Sequence, residues 1–391
     1  MTKIPFPLHA PRPGASSALR SIALTTLGAF WCGLTAGHAQ TPVSSTATEN
    51  VVLITIDGLR WQEVFNGADD EILIPGVAGD SAAVASLRER FWREAPGGRR
   101  TILMPFMWSV IATRGQLYGN RQLASSVLVS NGKNFSYPGY SEILSGYPDS
   151  RIDSNDKIPN PNVTVLEWLN QQPRRRDRVA VFGSWDVFPF IVNAERSGVH
   201  TNAGWEPIDR GSLSATERLL NHLMAETPHE WSNVRFDAYT VQVALDYVRR
   251  THPRVLYLAL GEPDDWAHAG RYDRYLESTR RADGFIGALW EELRGLPAYR
   301  DRTTFVITTD HGRGSGVSAW TGHGSDVAGS EYAWLAVLGP DTEPLGERRD
   351  TRDVTLSQVA ATVAALLSED YGSVVTRAAP PIADVVRSLR R

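Results

Sequence analysis

Short runs that are apolar at nearly every position punctuate this chain: VVLITID at 51–57, SSVLVS at 125–130, RVAVFGSW at 178–185, RVLYLAL at 254–260, TTFVITT at 303–309 and AWLAVLG at 333–339. A strand with one wet face alternates apolar and polar residues. One that is apolar throughout must be covered on both faces, and that is the habit of parallel sheet. Between the runs, helical periodicity predicts helices over about 81–95, 104–113, 139–146, 163–172, 213–225, 235–251, 271–295 and 355–368. No Pro- or Ser-rich linker divides residues 40–391. The expectation is one α/β domain over that span, a mostly parallel central sheet with helices on both faces.

The first 39 residues read differently. They hold Lys3, Arg12 and Arg20 and no acid, then an apolar stretch from Ser21 to Gly37 that ends in GHAQ. Small residues at Gly37 and Ala39 fit cleavage before Gln40, so residues 1–39 read as a secretory signal peptide and the protein as exported, periplasmic or secreted. The apolar stretch is short for a membrane anchor. No stable span is expected after cleavage. Bulky Trp31 before Cys32 argues against a lipidated cysteine. Cys32 is the only cysteine, so the mature chain has no disulfide. Losing the three basic groups leaves 37 Lys+Arg against 44 Asp+Glu, a net charge of −7. That balance argues against nucleic-acid binding. Arg174–Arg176 and Arg249–Arg250 read as solvated helix ends.

Open α/β sheets gather ligands beyond the C-terminal ends of their strands. Asp57 follows the first run, and Ser136 follows the second in SNGKNFSYPGY. Asp264 and His268 follow the fourth in GEPDDWAHAG; Asp310 and His311 follow the fifth in TTDHGRG, with His323 soon after in TGHG. Each has an ordinary reading alone. Asp57–Gly58 suits a turn, Asp265 a helix cap, Ser136 a cap before Tyr137–Pro138, and His323 a glycine-rich loop. Together they form Asp/His sets of the kind that hold zinc. Two such ions can clamp a phosphoryl group while a serine between them attacks. Trp61, Trp185, Trp266 and Trp320 lie near these positions. Core packing is their favoured reading, and stacking on an aryl group or nucleobase the alternative.

As an ordered set, ITIDGLR, SYPGYSEILSGYPD, GEPDDWAHAGRY, TTDHGRG and TGHG resemble the alkaline phosphatase superfamily, and within it the phosphodiesterase and nucleotide pyrophosphatase branch with related bacterial metallohydrolases. The resemblance implies two divalent metal ions, zinc with manganese as the alternative. Asp57, Asp310 and His311 would hold one ion, and Asp264, His268 and His323 the other. Ser136 would be nucleophile and shared ligand, Asn155 would bind a phosphoryl oxygen, and Asp283 would be structural. It implies a small-molecule phosphate ester, diester or monoester, as substrate. Serine stands where the diesterases carry threonine, and Asn155 matches only after a small shift. No motif for a third metal is present. Formylglycine sulfatases need C/S-x-P-x-R, and the serine here begins SYPGY, without the arginine. A phosphomutase on the same scaffold and a non-catalytic metal- or ligand-binding protein are the rival readings; the leader sequence speaks against the mutase. The turn-rich segment 202–230 is a candidate lid or specificity insertion.

Overall fold

The computed structural model describes residues 46–209 and 211–390. The leader at 1–39, with Cys32, lies outside the described residues. Among these, eleven strands form two sheets: β1 (Asn50–Ile56), β2 (Gln116–Tyr118), β3 (Val127–Leu128), β4 (Val179–Gly183), β5 (His200–Ala203), β6 (Val255–Leu260), β7 (Thr303–Thr308), β8 (Tyr332–Ala333), β9 (Leu335–Leu338), β10 (Gly346–Glu347) and β11 (Val354–Thr355). The eight-stranded sheet runs β10-β2-β9-β7-β1-β6-β4-β5, and β11-β3-β8 form a small second sheet. β7, β1, β6, β4 and β5 are mutually parallel; β9 is antiparallel to β7 and β2. This is the mostly parallel α/β sandwich that the apolar runs imply. β1, β6 and β7 are buried along their whole length. Side chains of β1 divide by parity, with Val52, Ile54 and Ile56 in one apolar layer and Val51 and Leu53 in the other.

Register does the positioning. Ile56 pairs with Leu260, and Thr55 with Thr308. The Asp57 N–H continues the ladder to Leu260 O at 2.9 Å. Asp57, the Gly261–Glu262 helix start and Asp310 therefore leave the sheet side by side.

Two expected strands differ. SSVLVS contributes only Val127–Leu128, and to the small sheet. Its end is drawn off the ladder because the Ser130 N–H and hydroxyl bind the buried Glu142 carboxylate. AWLAVLG is split at Trp334, which is fully buried and donates its indole N–H to Leu59 O at 2.9 Å. The helix expected over 81–95 ends at Phe91, and a separate helix Pro96–Leu103, opened by proline, fills the gap before the one expected at 104–113. Segment 202–230 finishes edge strand β5, then forms the helix Ala215–Glu226, which a Ser214–Glu217 capping box begins. That helix packs on the helix Asp237–Thr251. Arg175 is not a solvated helix end: it is buried and donates to Leu367 O at 2.8 Å. Trp61 and Trp320 belong to the core, Trp320 against Tyr272 and Tyr275. No helix among the described residues is long and apolar enough to cross a membrane.

Asp283 lies buried on the long helix Tyr272–Gly295 and accepts the N–H groups of Phe106 and Met107, each at 2.8 Å. Burial lifts its pKa to about 6 against those two bonds. Asp283→Ala strands both donors, so urea unfolding should show a loss of about 1–3 kcal/mol.

Candidate metal centre

Three donors converge where β1 and β7 end, and each has one atom tied and one free. Asp57 Oδ2 accepts the Tyr140 hydroxyl at 2.8 Å. Asp310 Oδ1 accepts the Gly58 N–H at 3.1 Å. His311 Nδ1 meets Gly312 O at 2.9 Å, so the ring carries its proton there. Their remaining atoms, Asp57 Oδ1, Asp310 Oδ2 and His311 Nε2, are buried and have no hydrogen-bond partner. Those orphans face one another: His311 Nε2 is 3.3 Å from Asp57 Oδ1 and 3.5 Å from Asp310 Oδ2. Buried polar atoms go unpaired only at a cost, and an orphaned pair of carboxylate oxygens beside an unprotonated imidazole nitrogen fits a divalent cation.

A second cluster adjoins the first. Asp264 lies in the first turn of the helix Glu262–His268, with His268 one turn later on the same face. His268 Nε2 is 3.1 Å from Asp264 Oδ2 and 2.9 Å from His323 Nε2. His323 Nδ1 meets Asn134 O at 3.1 Å, which again leaves Nε2 for a ligand. The His311 and His323 rings stack at 4.1 Å. Asp264, His311 and His323 can reach a common ion, so His311 is within reach of both positions.

The electrostatics suit neutral imidazoles among crowded acids. Burial holds the pKa of His311 down to about 4, and burial with His311 as neighbour holds that of His323 down to about 3. Burial and the Asp264 charge raise the Asp57 carboxyl to about 7, and burial with Asp57 raises Asp310 well above the usual carboxylate range. Asp264 moves the other way: burial opposes ionisation, but Arg313, His268 and His311 outweigh it. Carboxylates that resist ionisation when metal-free are those a cation would relieve.

Ser136 is the first residue of the helix Ser136–Ser145 and is buried. Three contacts seat that helix on the cluster. Gly139 lies on the Asp310 carbonyl, where a Cβ would fall 2.3 Å from the oxygen. Tyr140 holds Asp57. Asn134, two residues before the serine, adopts a left-handed backbone at φ 54° and offers His323 its carbonyl. Glu142 fixes the approach to the serine: its buried carboxylate accepts the N–H groups of Ser130, Asn131 and Ser357, each at 3.1 Å. Asn155 is exposed, and its Oδ1 accepts the Tyr137 N–H at 3.0 Å. This takes one helix-start donor from any ligand. Trp266 is buried and meets Trp231 edge-on at 4.6 Å, while Trp185 stays half-buried. Sequence reasoning does not single out Glu142 or Arg313, and reaches Tyr140 only as the residue standing in place of an arginine. Arg313 had a signal, since a charged side chain two residues past a buried strand-end histidine must find an internal partner.

No protein-family model matches the sequence. GPI ethanolamine phosphate transferase 1 of Saccharomyces cerevisiae is 24% identical over 312 residues, which cover 77% of this chain and 29% of the yeast protein. The chain thus spans under a third of that relative's length. Among solved structures, a putative sulfatase from Bacteroides thetaiotaomicron aligns with a TM-score of 0.56 at 12% identity, covering 88% of this chain and 75% of that one. BT1596, a 2-O GAG sulfatase, gives 0.53 at 12% identity, covering 87% and 74%. The lipoteichoic acid synthase LtaP of Listeria monocytogenes gives 0.51 at 11% identity, covering 88% and 76%. At these identities the likeness is one of architecture, the alkaline phosphatase-like α/β sandwich.

Removing divalent ions with a chelator should lower the melting temperature, and restoring zinc at a hundred times its Kd should recover about 2.7 kcal/mol. Asp57→Asn with Asp310→Asn should abolish most of that recovery. Tyr140→Phe frees Asp57 to rotate and should weaken ion binding about 10- to 100-fold in calorimetric titration.

Proposed function

We propose that this chain, on its alkaline phosphatase-like fold, is a metal-dependent hydrolase of phosphate esters with Ser136 as nucleophile. The observation that carries the reading is the trio of orphaned donor atoms on Asp57, Asp310 and His311, packed against the helix that Ser136 begins. Asp57, Asp310 and His311 would hold one divalent ion, and Asp264, His268 and His323 a second, with His311 within reach of both. An oxygen-and-nitrogen donor set of this kind suits zinc or manganese. Ions bound there supply positive charge that polarises phosphoryl oxygens and favours the ionised form of a nearby hydroxyl.

The chain's own groups then do the following. Ser136 Oγ, its proton lost to solvent, attacks phosphorus. The Oγ–P bond forms as the P–O bond to the leaving group breaks, and the departing oxygen takes a proton from water. Water next attacks phosphorus, the Oγ–P bond breaks, and Ser136 recovers its proton. Asn155 presents its amide nitrogen to a phosphoryl oxygen beside the serine. Tyr140 keeps Asp57 oriented, and Glu142 holds the loop from which the serine emerges. The reading includes export, carried by the leader composition of residues 1–39. A formylglycine sulfatase is disfavoured although sulfatases share the architecture: Tyr140 stands where that motif needs arginine, and its hydroxyl is committed to Asp57.

The names of the yeast transferase and the Listeria synthase favour a second reading, transfer of the phosphoryl-bearing group from Ser136 to an alcohol in place of water.

The test compares kcat/KM for p-nitrophenyl phosphate, bis-p-nitrophenyl phosphate and p-nitrophenyl sulfate on the zinc-loaded protein, with and without a glycerol or ethanolamine acceptor. Turnover of a phosphate ester is expected, and Ser136→Ala should cut it about a thousandfold or more while retaining the ions. Near-normal turnover in Ser136→Ala removes the serine from the mechanism. Silence on every ester with both ions bound overturns the reading, and product carried by the acceptor alcohol makes the protein a transferase.

A further inference from the structure

Arg313 lies two residues beyond His311, and its side chain is fully buried. Its guanidinium is not spent on a surface pair. Nη2 donates to Asp264 Oδ1 in a short contact and also to the Asp264 main-chain carbonyl at 3.1 Å. Nη1 donates to Thr321 O, two residues before His323. One planar fork therefore joins three segments that carry candidate ligands: the β7 end with Asp310 and His311, the helix with Asp264 and His268, and the loop with His323. The pairing packs against Gly58, which leaves it room by having no side chain. Gly58 has φ +56°, and a Cβ there would fall 2.4 Å from Asp264 Oδ1 and 3.1 Å from Arg313 Nε.

We propose that Arg313 is the positioning residue of the second ion site: by clamping Asp264 Oδ1 and Thr321 O it holds Asp264 and His323 where one divalent cation can use both. The inference rests on the two-ion reading above but not on turnover. Directional bonds from two guanidinium nitrogens to one carboxylate oxygen and two main-chain carbonyls are what a planar guanidinium provides and an ammonium does not. A fixed cation close to a divalent ion also repels it, so the two effects predict opposite signs. If positioning dominates, removing the fork weakens the second ion; if repulsion dominates, removal strengthens it.

The experiment is a zinc titration of the chelator-treated full protein by calorimetry, repeated with cobalt read by its visible absorption. Wild type, Arg313→Met and Arg313→Lys are compared, with His323→Ala as a reference crippled at the second site. Wild type is expected to take up two ions. Arg313→Met and Arg313→Lys should both bind the second about 10- to 100-fold more weakly, with the tighter ion of Asp57, Asp310 and His311 unchanged. Unchanged or tighter second-ion binding in Arg313→Met overturns the proposal. So does full rescue by Arg313→Lys, which would make charge rather than the fork the operative property. A parallel loss of both ions with a lower melting temperature also overturns it, because that is the mark of a merely structural residue. If Arg313→Met does not fold, Arg313→Lys carries the test. A wild type that binds two ions but hydrolyses no ester sinks the proposed function and leaves this inference standing. A wild type that binds only one ion sinks the inference.

Discussion

Everything at the sheet's C-terminal edge depends on crowding three carboxylates. Parallel pairing of β7, β1 and β6 sends Asp57, Asp264 and Asp310 out of the same edge into space with little water. Two unit charges 4 Å apart repel by about 4 kcal/mol even at an effective dielectric of 20. The fold answers with neighbours for each acid. Tyr140 holds Asp57, the Gly58 N–H holds Asp310, and Arg313 holds Asp264. Only Asp264 receives a full positive charge, and only Asp264 has its pKa pushed well below the usual range. The other two retain repulsion that protein groups leave uncompensated. A divalent cation is the simplest agent that relieves it.

Much of this was legible in the sequence because parallel strands are written plainly. VVLITID, RVLYLAL and TTFVITT could be strands and little else, so the residues after them had to meet. The pairing of Asp264 with His268 was legible too, since a four-residue spacing on a helix puts both on one face. SSVLVS was not legible as the exception it is, because what removes it from the main sheet is Glu142, distant in the pattern though close in space. The two- to four-residue strands β2, β5, β10 and β11 carry too few side chains to show a period. Tyr140 was readable only as the residue standing in place of an arginine; its bond to Asp57 depends on how the helix sits, which Gly139 decides by its contact with Asp310.

That glycine contact also explains why the serine helix belongs to the site. For Ser136 to serve as the proposed nucleophile, the first turn of its helix must come close to the donors, and side chains normally hold helix and backbone apart. At Gly139 nothing intervenes, so the helix rests on the Asp310 carbonyl itself. Placement of the buried Ser136 is thereby inherited from a strand end rather than from a loop.

The bond from His323 to the carbonyl of Asn134 has a consequence of its own. Asn134 belongs to the loop that delivers Ser136, and its strained backbone aims the carbonyl at the imidazole. The two loops are separated by 189 residues of sequence yet share one hydrogen bond. Neither can drift without taking the other's register with it. Errors in the position of the serine and of the imidazole are therefore correlated, and the relative geometry of the two stays tighter than the absolute placement of either loop.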